Sequence, residues 1–320
     1  RDGGGPVAVQ LITDGNYTFS ATSLPKVNRI NRFLPEKISE WPELPDNAKI
    51  AVLLGAHRTF SATESEMLEH FVETHDAVVF SDISSGYHGK FAFGSALACI
   101  QLQNNPIRSA FEPDLVIHVG EMTGDYNTMG FLTGLNCPVW RVSLDGEFRQ
   151  HFARLENVFQ CSNEFFFSHY ASNKHVESGY RTKWENYDIQ LRKRMPEFPF
   201  SNIWMAQQLH SMIPAGSIAH SAILSSLSSW DYFPLPKDVR SSANVGGFGI
   251  DGCTSTLIGA SLSSHELCFC ITGDLAFFYD MNSLGCREIG PNLRILLINN
   301  GLGMTFKLSN HVGSQIGPSA

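Results

Sequence analysis

ITGDLAFFYDMNSLGCREIGPNLRILLINNGLGM, residues Ile271–Met304, decides the fold of this 320-residue chain. The apolar run Leu267 to Thr272 reads as a strand and ends in Gly273-Asp274. Phe277 to Ile289 reads as a helix, and Leu293 to Ile298 as a second strand that ends in Asn299-Asn300-Gly301-Leu302-Gly303. In such a strand–helix–strand unit the polar residues fall at the carboxyl ends of the strands, where open α/β sheets hold ligands. A glycine there lets backbone approach a ligand closely. One carboxylate and one carboxamide offer hard oxygen donors, a set that suits Mg²⁺ shared with phosphate. The bland reading of Asp274 is a helix cap.

Composition narrows the class. A hydrophobic content of 43% with dispersed charges fits a globular protein with room for two cores. The net charge of −8 and the lack of a basic block exclude a nucleic-acid surface, which must neutralise phosphates. No apolar run approaches the roughly 18 residues of a membrane span. The seven cysteines include no CxxC pair, which fits buried thiols in a reducing cytoplasm. Cys268 and Cys270 alternate onto one face of a strand and read as core residues.

Outward from the deciding stretch, strands and helices alternate. Strands are expected at Ala48–Leu54, Ala77–Phe80, Asp114–Val119 and Val139–Leu144, with a helix over Thr63–Thr74 carrying Met67, Leu68, Phe71 and Val72 on one face. This pattern means a parallel sheet covered on both faces. Gly15 to Asp46 reads as a linker with at most a short helix, and the charged stretch Lys174 to Pro199 as a solvated linker and helix. A helix over about 201–212 then leads into a strand over Ile218–Leu224. The fold class is therefore α/β, with two parallel-sheet, three-layer domains. Gly55-Ala56-His57-Arg58 and Gly120-Glu121-Met122-Thr123-Gly124 follow two strands where a dinucleotide could sit, but GxGxxG is absent and ordinary turn chemistry is the better reading. That absence also weakens a nucleotide-dependent oxidoreductase.

Gly273-Asp274 followed by Asn299-Asn300 resembles the diphosphate-binding signature of thiamine diphosphate (ThDP) enzymes. Gly249-Ile250-Asp251-Gly252 within NVGGFGIDGCTSTLIGAS, the Leu275 variant of the usual third glycine, and Tyr279-Asp280-x-Asn282-x-Leu284 look most like MenD, the 2-succinyl-5-enolpyruvyl-6-hydroxy-3-cyclohexene-1-carboxylate synthase family. The resemblance implies a ThDP- and Mg²⁺-dependent decarboxylase or carboligase acting on a 2-oxo acid, the cofactor itself carrying the carbanion step. It implies Mg²⁺ on Asp274, the Asn300 side chain and the Leu302 carbonyl, with Asn299 holding the turn. Gly273, Leu275 and Gly301 would line the diphosphate, and the positive end of the following helix would face it. Ile250 would prop the bent cofactor and the Gly249 carbonyl would accept from its amino group. It also implies a division into 1–35, the tail of a pyrimidine-binding (Pyr) domain and linker; 36–185, a middle Rossmann-like domain; and 186–320, a truncated diphosphate-binding domain. The catalytic glutamate would then lie in missing Pyr sequence, the fragment alone would be inactive, and the parent protein would be a homodimer or homotetramer.

The chain departs from that pattern at two places. MenD carries an arginine just before the GxxGIDG run and another after its first diphosphate-domain strand, both gripping substrate carboxylate. Here Val245 and the stretch around His220 stand instead, and valine cannot replace an arginine fork. Val245 and His220 are the candidate substrate contacts, and a MenD paralogue with an altered substrate site is as compatible as MenD itself. Acetolactate-synthase-like chemistry is an alternative that Ile250 disfavours, that family having methionine there. A non-catalytic binding or regulatory ThDP-fold protein is the other alternative.

Overall fold

A computed structural model describes residues 29–148, 152–171 and 175–301. All strand pairs in it are parallel and form two sheets. The first unit comprises β1 (Asn31–Phe33), β2 (Ile50–Leu54), α1 (Ala62–His75), β3 (Val78–Ser81), β4 (Phe93–Gly94), α2 (Ala96–Leu102), β5 (Leu115–Val119), α3 (Tyr126–Thr133), β6 (Val139–Val142), β7 (Leu155–Phe159), α4 (Asn163–Tyr170) and α5 (Tyr180–Lys193). Its seven-stranded order is β1-β7-β6-β5-β2-β3-β4. The second unit comprises α6 (Asn202–Leu209), β8 (Ile218–Ser221), α7 (Ser225–Trp230), β9 (Arg240–Ala243), α8 (Cys253–Leu262), β10 (Cys268–Gly273), α9 (Asp274–Asp280) and β11 (Leu293–Ile298), in the order β11-β10-β8-β9.

β2, in the middle of the first sheet, is apolar and buried at every position because both of its faces are covered. In β2, Ile50, Val52 and Leu54 enter one core with Phe71, Val72 and Phe166. Ala51 and Leu53 enter the opposite core with Phe131, Val158 and Trp184. The second sheet divides likewise, Ile271 and Ile298 facing Trp230 on one side and Cys268 and Cys270 facing Cys253 and Leu257 on the other. Cys268 and Cys270 are fully buried, as their strand alternation implies.

Four expectations change. The helix after Gly273-Asp274 begins at Asp274, not Phe277, and ends at Asp280, with only a 3₁₀ turn, Met281–Gly285, beyond it. The Ser283 hydroxyl donates to the Asp280 carbonyl at 2.6 Å, a local bond that competes with helix continuation. The segment read as a linker contributes β1, which pairs with β7, and the buried Trp41. The charged stretch read as a solvated linker and helix does hold a helix, α5, but it is docked rather than solvated, with Tyr180 and Trp184 buried in the first core. A domain boundary between 185 and 186 would thus fall inside one helix. Finally, the strand expected to reach Leu224 ends at Ser221, since Leu224 takes φ 69° and turns the chain. Most of the expected Pyr-domain tail, up to residue 28, and the Leu302 ligand lie outside the described residues.

Candidate functional site

In the second sheet the chain leaves β8 first to β9 on one side, then returns through α8 to β10 on the other. The point where strand order reverses lies between β8 and β10, and a crevice opens there beyond their carboxyl ends. Ile250, Gly273, Asp274, Leu275 and Asn300 line one cavity at this position, together with Asn202, Leu224, Ser225 and Ser226. The described residues enclose about 80 Å³, against roughly 300 Å³ or more for a pocket that surrounds a whole small ligand. They therefore furnish one wall of a site.

Asp274 organises that wall. β10 and β11 run in register, Gly273 opposite Ile298, so Asp274 and Asn299 leave neighbouring strand ends side by side. Asp274 is 7% exposed. Its Oδ1 accepts the Leu275 N–H at 2.7 Å and its Oδ2 accepts the Gly301 N–H at 2.7 Å. The cap position of α9 belongs to Gly273, so Asp274 is more than a helix cap: it ties the start of α9 to the loop after β11. Asn299 Oδ1 accepts the same Gly301 N–H at 3.1 Å and holds the turn, while Gly301 takes φ 66°. A Cβ added at Gly273 would meet no described atom within 4 Å, so the space glycine leaves at this strand end stays open.

These features fit the donor set for Mg²⁺ and a diphosphate. A carboxylate offers about four lone-pair sites, and Asp274 has spent one on each oxygen. Among the described residues no three His, Cys, Asp or Glu side chains come together. A metal here would draw on one carboxylate and neutral oxygens, as Mg²⁺ shared with phosphate does. Ile250 is half-buried against Ala222 and Cys253 and faces the cavity from the loop after β9. The Gly249 carbonyl accepts from Asn244 Nδ2 at 3.1 Å, which leaves its second lone pair.

Both candidate substrate contacts are buried. Val245 is 3% exposed and packs with Ile223, Leu227, Ile83 and Ala56 where the two units meet. His220 is buried in β8, its Nδ1 2.8 Å from Ser242 Oγ in β9, and burial pulls its pKa down to about 4. Neither lines the Asp274 cavity. Sequence reading missed Asn202 and the turn after β8, Leu224 to Ser226. Asn202 Nδ2 donates to the Ser225 carbonyl at 2.9 Å, and its buried Oδ1 has no partner among the described residues. The available signal was position, since the end of β8 borders the same crevice as Gly273.

The turns after β2 and β5 border a second cavity, of about 350 Å³. Their glycines serve the chain's own close backbone approach: a Cβ at Gly55 would overlap the Glu121 carbonyl, and Gly120 takes φ 83°. Arg58 grips Glu64 through two bonds of 2.7 Å, and Arg141 pairs with Glu121 at 3.2 Å. Turn chemistry is the reading this geometry supports.

No family model matches the chain. The 2-succinyl-5-enolpyruvyl-6-hydroxy-3-cyclohexene-1-carboxylate synthase of Phocaeicola vulgatus is 28% identical over 317 residues, 95% of this chain and 56% of that protein. The chain is MenD-like. The synthase of the same name from Bacteroides fragilis is 37% identical over 171 residues, 52% of this chain and 30% of the relative. That of Christiangramia forsetii is 40% identical over 114 residues, 36% and 20% of the two chains. This MenD-like chain thus spans about half the length, or less, of the curated relatives it matches. Among the described residues no helix is long and apolar enough to cross a membrane.

Proposed function

We propose that this chain supplies the diphosphate- and Mg²⁺-binding half of a ThDP-dependent enzyme that decarboxylates a 2-oxo acid and transfers the product to an acceptor, as a MenD-like synthase or a paralogue with a changed substrate site. The observation that carries the reading is the bond from the Gly301 N–H to Asp274 Oδ2, which joins the two halves of the signature at the reversal point of a parallel sheet. In this reading Asp274, the Asn300 side chain and the Leu302 carbonyl hold Mg²⁺. Gly273 leaves room for the diphosphate, Leu275 and Gly301 flank it, Ile250 props the cofactor and the Gly249 carbonyl accepts from its amino group. ThDP, when bound, stabilises the carbanion that decarboxylation produces. The chain's own residues anchor and orient the cofactor and exclude water from one side of it. The glutamate that serves the aminopyrimidine comes from a Pyr domain, across a subunit contact in a homodimer or homotetramer.

The similarity to synthases along 95% of the chain favours this reading over a non-catalytic relative. Calorimetric titration of ThDP with Mg²⁺ into the protein and into Asp274→Ala tests it. Removing the only carboxylate in the proposed set leaves a carboxamide and a carbonyl, so affinity should fall at least about tenfold, the equivalent of 1.4 kcal/mol. Equal affinity in the two proteins would return Asp274 to a purely structural role.

A further inference from the structure

Beneath the GxxGIDG loop two cysteines meet. Cys253 is the first residue of α8 and Cys270 lies in the middle of β10, and their sulfurs are 3.9 Å apart. Both are fully buried, in a cluster that also holds Ala222, Leu257 and Ala276. Cys268, on the same face of β10, turns its sulfur to the Glu266 carbonyl at 3.4 Å. A disulfide needs sulfurs about 2.05 Å apart, so joining Cys253 to Cys270 takes a closure of under 2 Å. The segment that precedes Cys253 packs Ile250 on this cluster and carries Gly246, Gly247, Gly249 and Gly252, of which the first two are exposed. Such a segment opens locally at low cost, and a peroxide is small enough to enter.

We propose that Cys253 and Cys270 are a peroxide-oxidisable pair that closes to a disulfide and pins the first turn of α8 to β10. The two sulfurs are in weak hydrogen-bond contact in which either can donate, and the contact favours the thiolate of the one that accepts, here Cys270. The Cys270 thiolate attacks one peroxide oxygen and the O–O bond breaks. Cys270 becomes a sulfenic acid, and the departing hydroxide takes a proton to leave as water. Cys253 sulfur then attacks the Cys270 sulfur, the S–O bond breaks, and the second hydroxide leaves as water with the Cys253 proton. Two thiols are oxidised and one peroxide is reduced to two waters. The bond would link the helix that follows the Ile250 loop to the strand that precedes Asp274, but its detection does not depend on any cofactor.

The test is cysteine mapping by mass spectrometry on the folded chain after hydrogen peroxide, quenching, unfolding and alkylation. A Cys253–Cys270 cross-linked peptide, two hydrogens lighter than the reduced pair and restored by dithiothreitol, is expected. In Cys253→Ser, Cys270 should stop at the sulfenic acid and be captured by dimedone. Alkylated Cys253 and Cys270 in a sample where the half-exposed Cys286 has oxidised overturns the proposal. So does a bond that forms only in denaturant, or one that joins Cys268 instead. The wild-type map decides even if the serine variant fails to fold.

Discussion

Asp274 shows how much one side chain can organise. Each of its oxygens accepts one backbone N–H, one from its own helix and one from a loop 27 residues on. Alanine at this position removes both bonds, so the affinity loss expected for Mg²⁺ and ThDP should come with modest destabilisation, on the order of 1–3 kcal/mol. Val245 makes the opposite case. Its place after the last strand before the GxxGIDG loop suggested a substrate contact, yet it is buried against Leu227 and Ile83. Val245→Arg should therefore destabilise the protein by roughly 3–5 kcal/mol by burying an unpaired charge. Denaturant unfolding measures this, and a loss under about 1 kcal/mol would place Val245 at an open surface.

At the scale of the element, α5 is the informative case. By composition it is a charged helix, and seven of the charges in 174–199 made it look solvated. Its anchor is Trp184, fully buried among Phe80, Phe93, Phe111 and Phe131 at ring separations of 4.8 to 6.2 Å. Trp184→Ala should cost about 3–5 kcal/mol, and Trp184→Phe clearly less, in the cooperative unfolding of the first unit. Equal losses would mean that packing volume is not what docks this helix. The short α9 teaches a related lesson: its apolar residues Phe277 and Phe278 fit a longer helix, but Ser283 and Gly285 end it.

The whole molecule depends on how the two units meet. Asp231, after α7, accepts the Ile83 N–H at 3.3 Å and so enters the strand ends of the first unit. There it joins Asp82 and Asp125, which hydrogen-bond Ser84 and the α3 amino terminus. Burial raises all three carboxyls: Asp125 to about 6, Asp82 in the same direction, and Asp231 further, aided by the charges of the other two. In the unfolded chain each would titrate near 3.9. The folded state thus binds more protons between about 4 and the raised values, and stability falls as pH rises through that window. The midpoint of thermal unfolding should drop between pH 5 and pH 8, and Asp231→Asn should reduce the drop and raise the midpoint at pH 8. An identical pH profile in the variant would show that Asp231 does not titrate at this junction.

Sequence alone determined the parallel α/β class, because strands covered on both faces are predominantly apolar and alternate with helices that are apolar on one stripe only. It also determined the pairing of Gly273-Asp274 with Asn299-Asn300, since a strand–helix–strand unit returns to the neighbouring position with few alternatives. Short edge elements escaped it: β1 and β4 have three and two residues, too few for periodicity to register. The fates of Trp184, Val245, His220 and Asn202 were decided only by the tertiary structure. Whether such a side chain ends in a core, between two units or beside a cavity depends on residues distant in the chain, and no local pattern carries that distance.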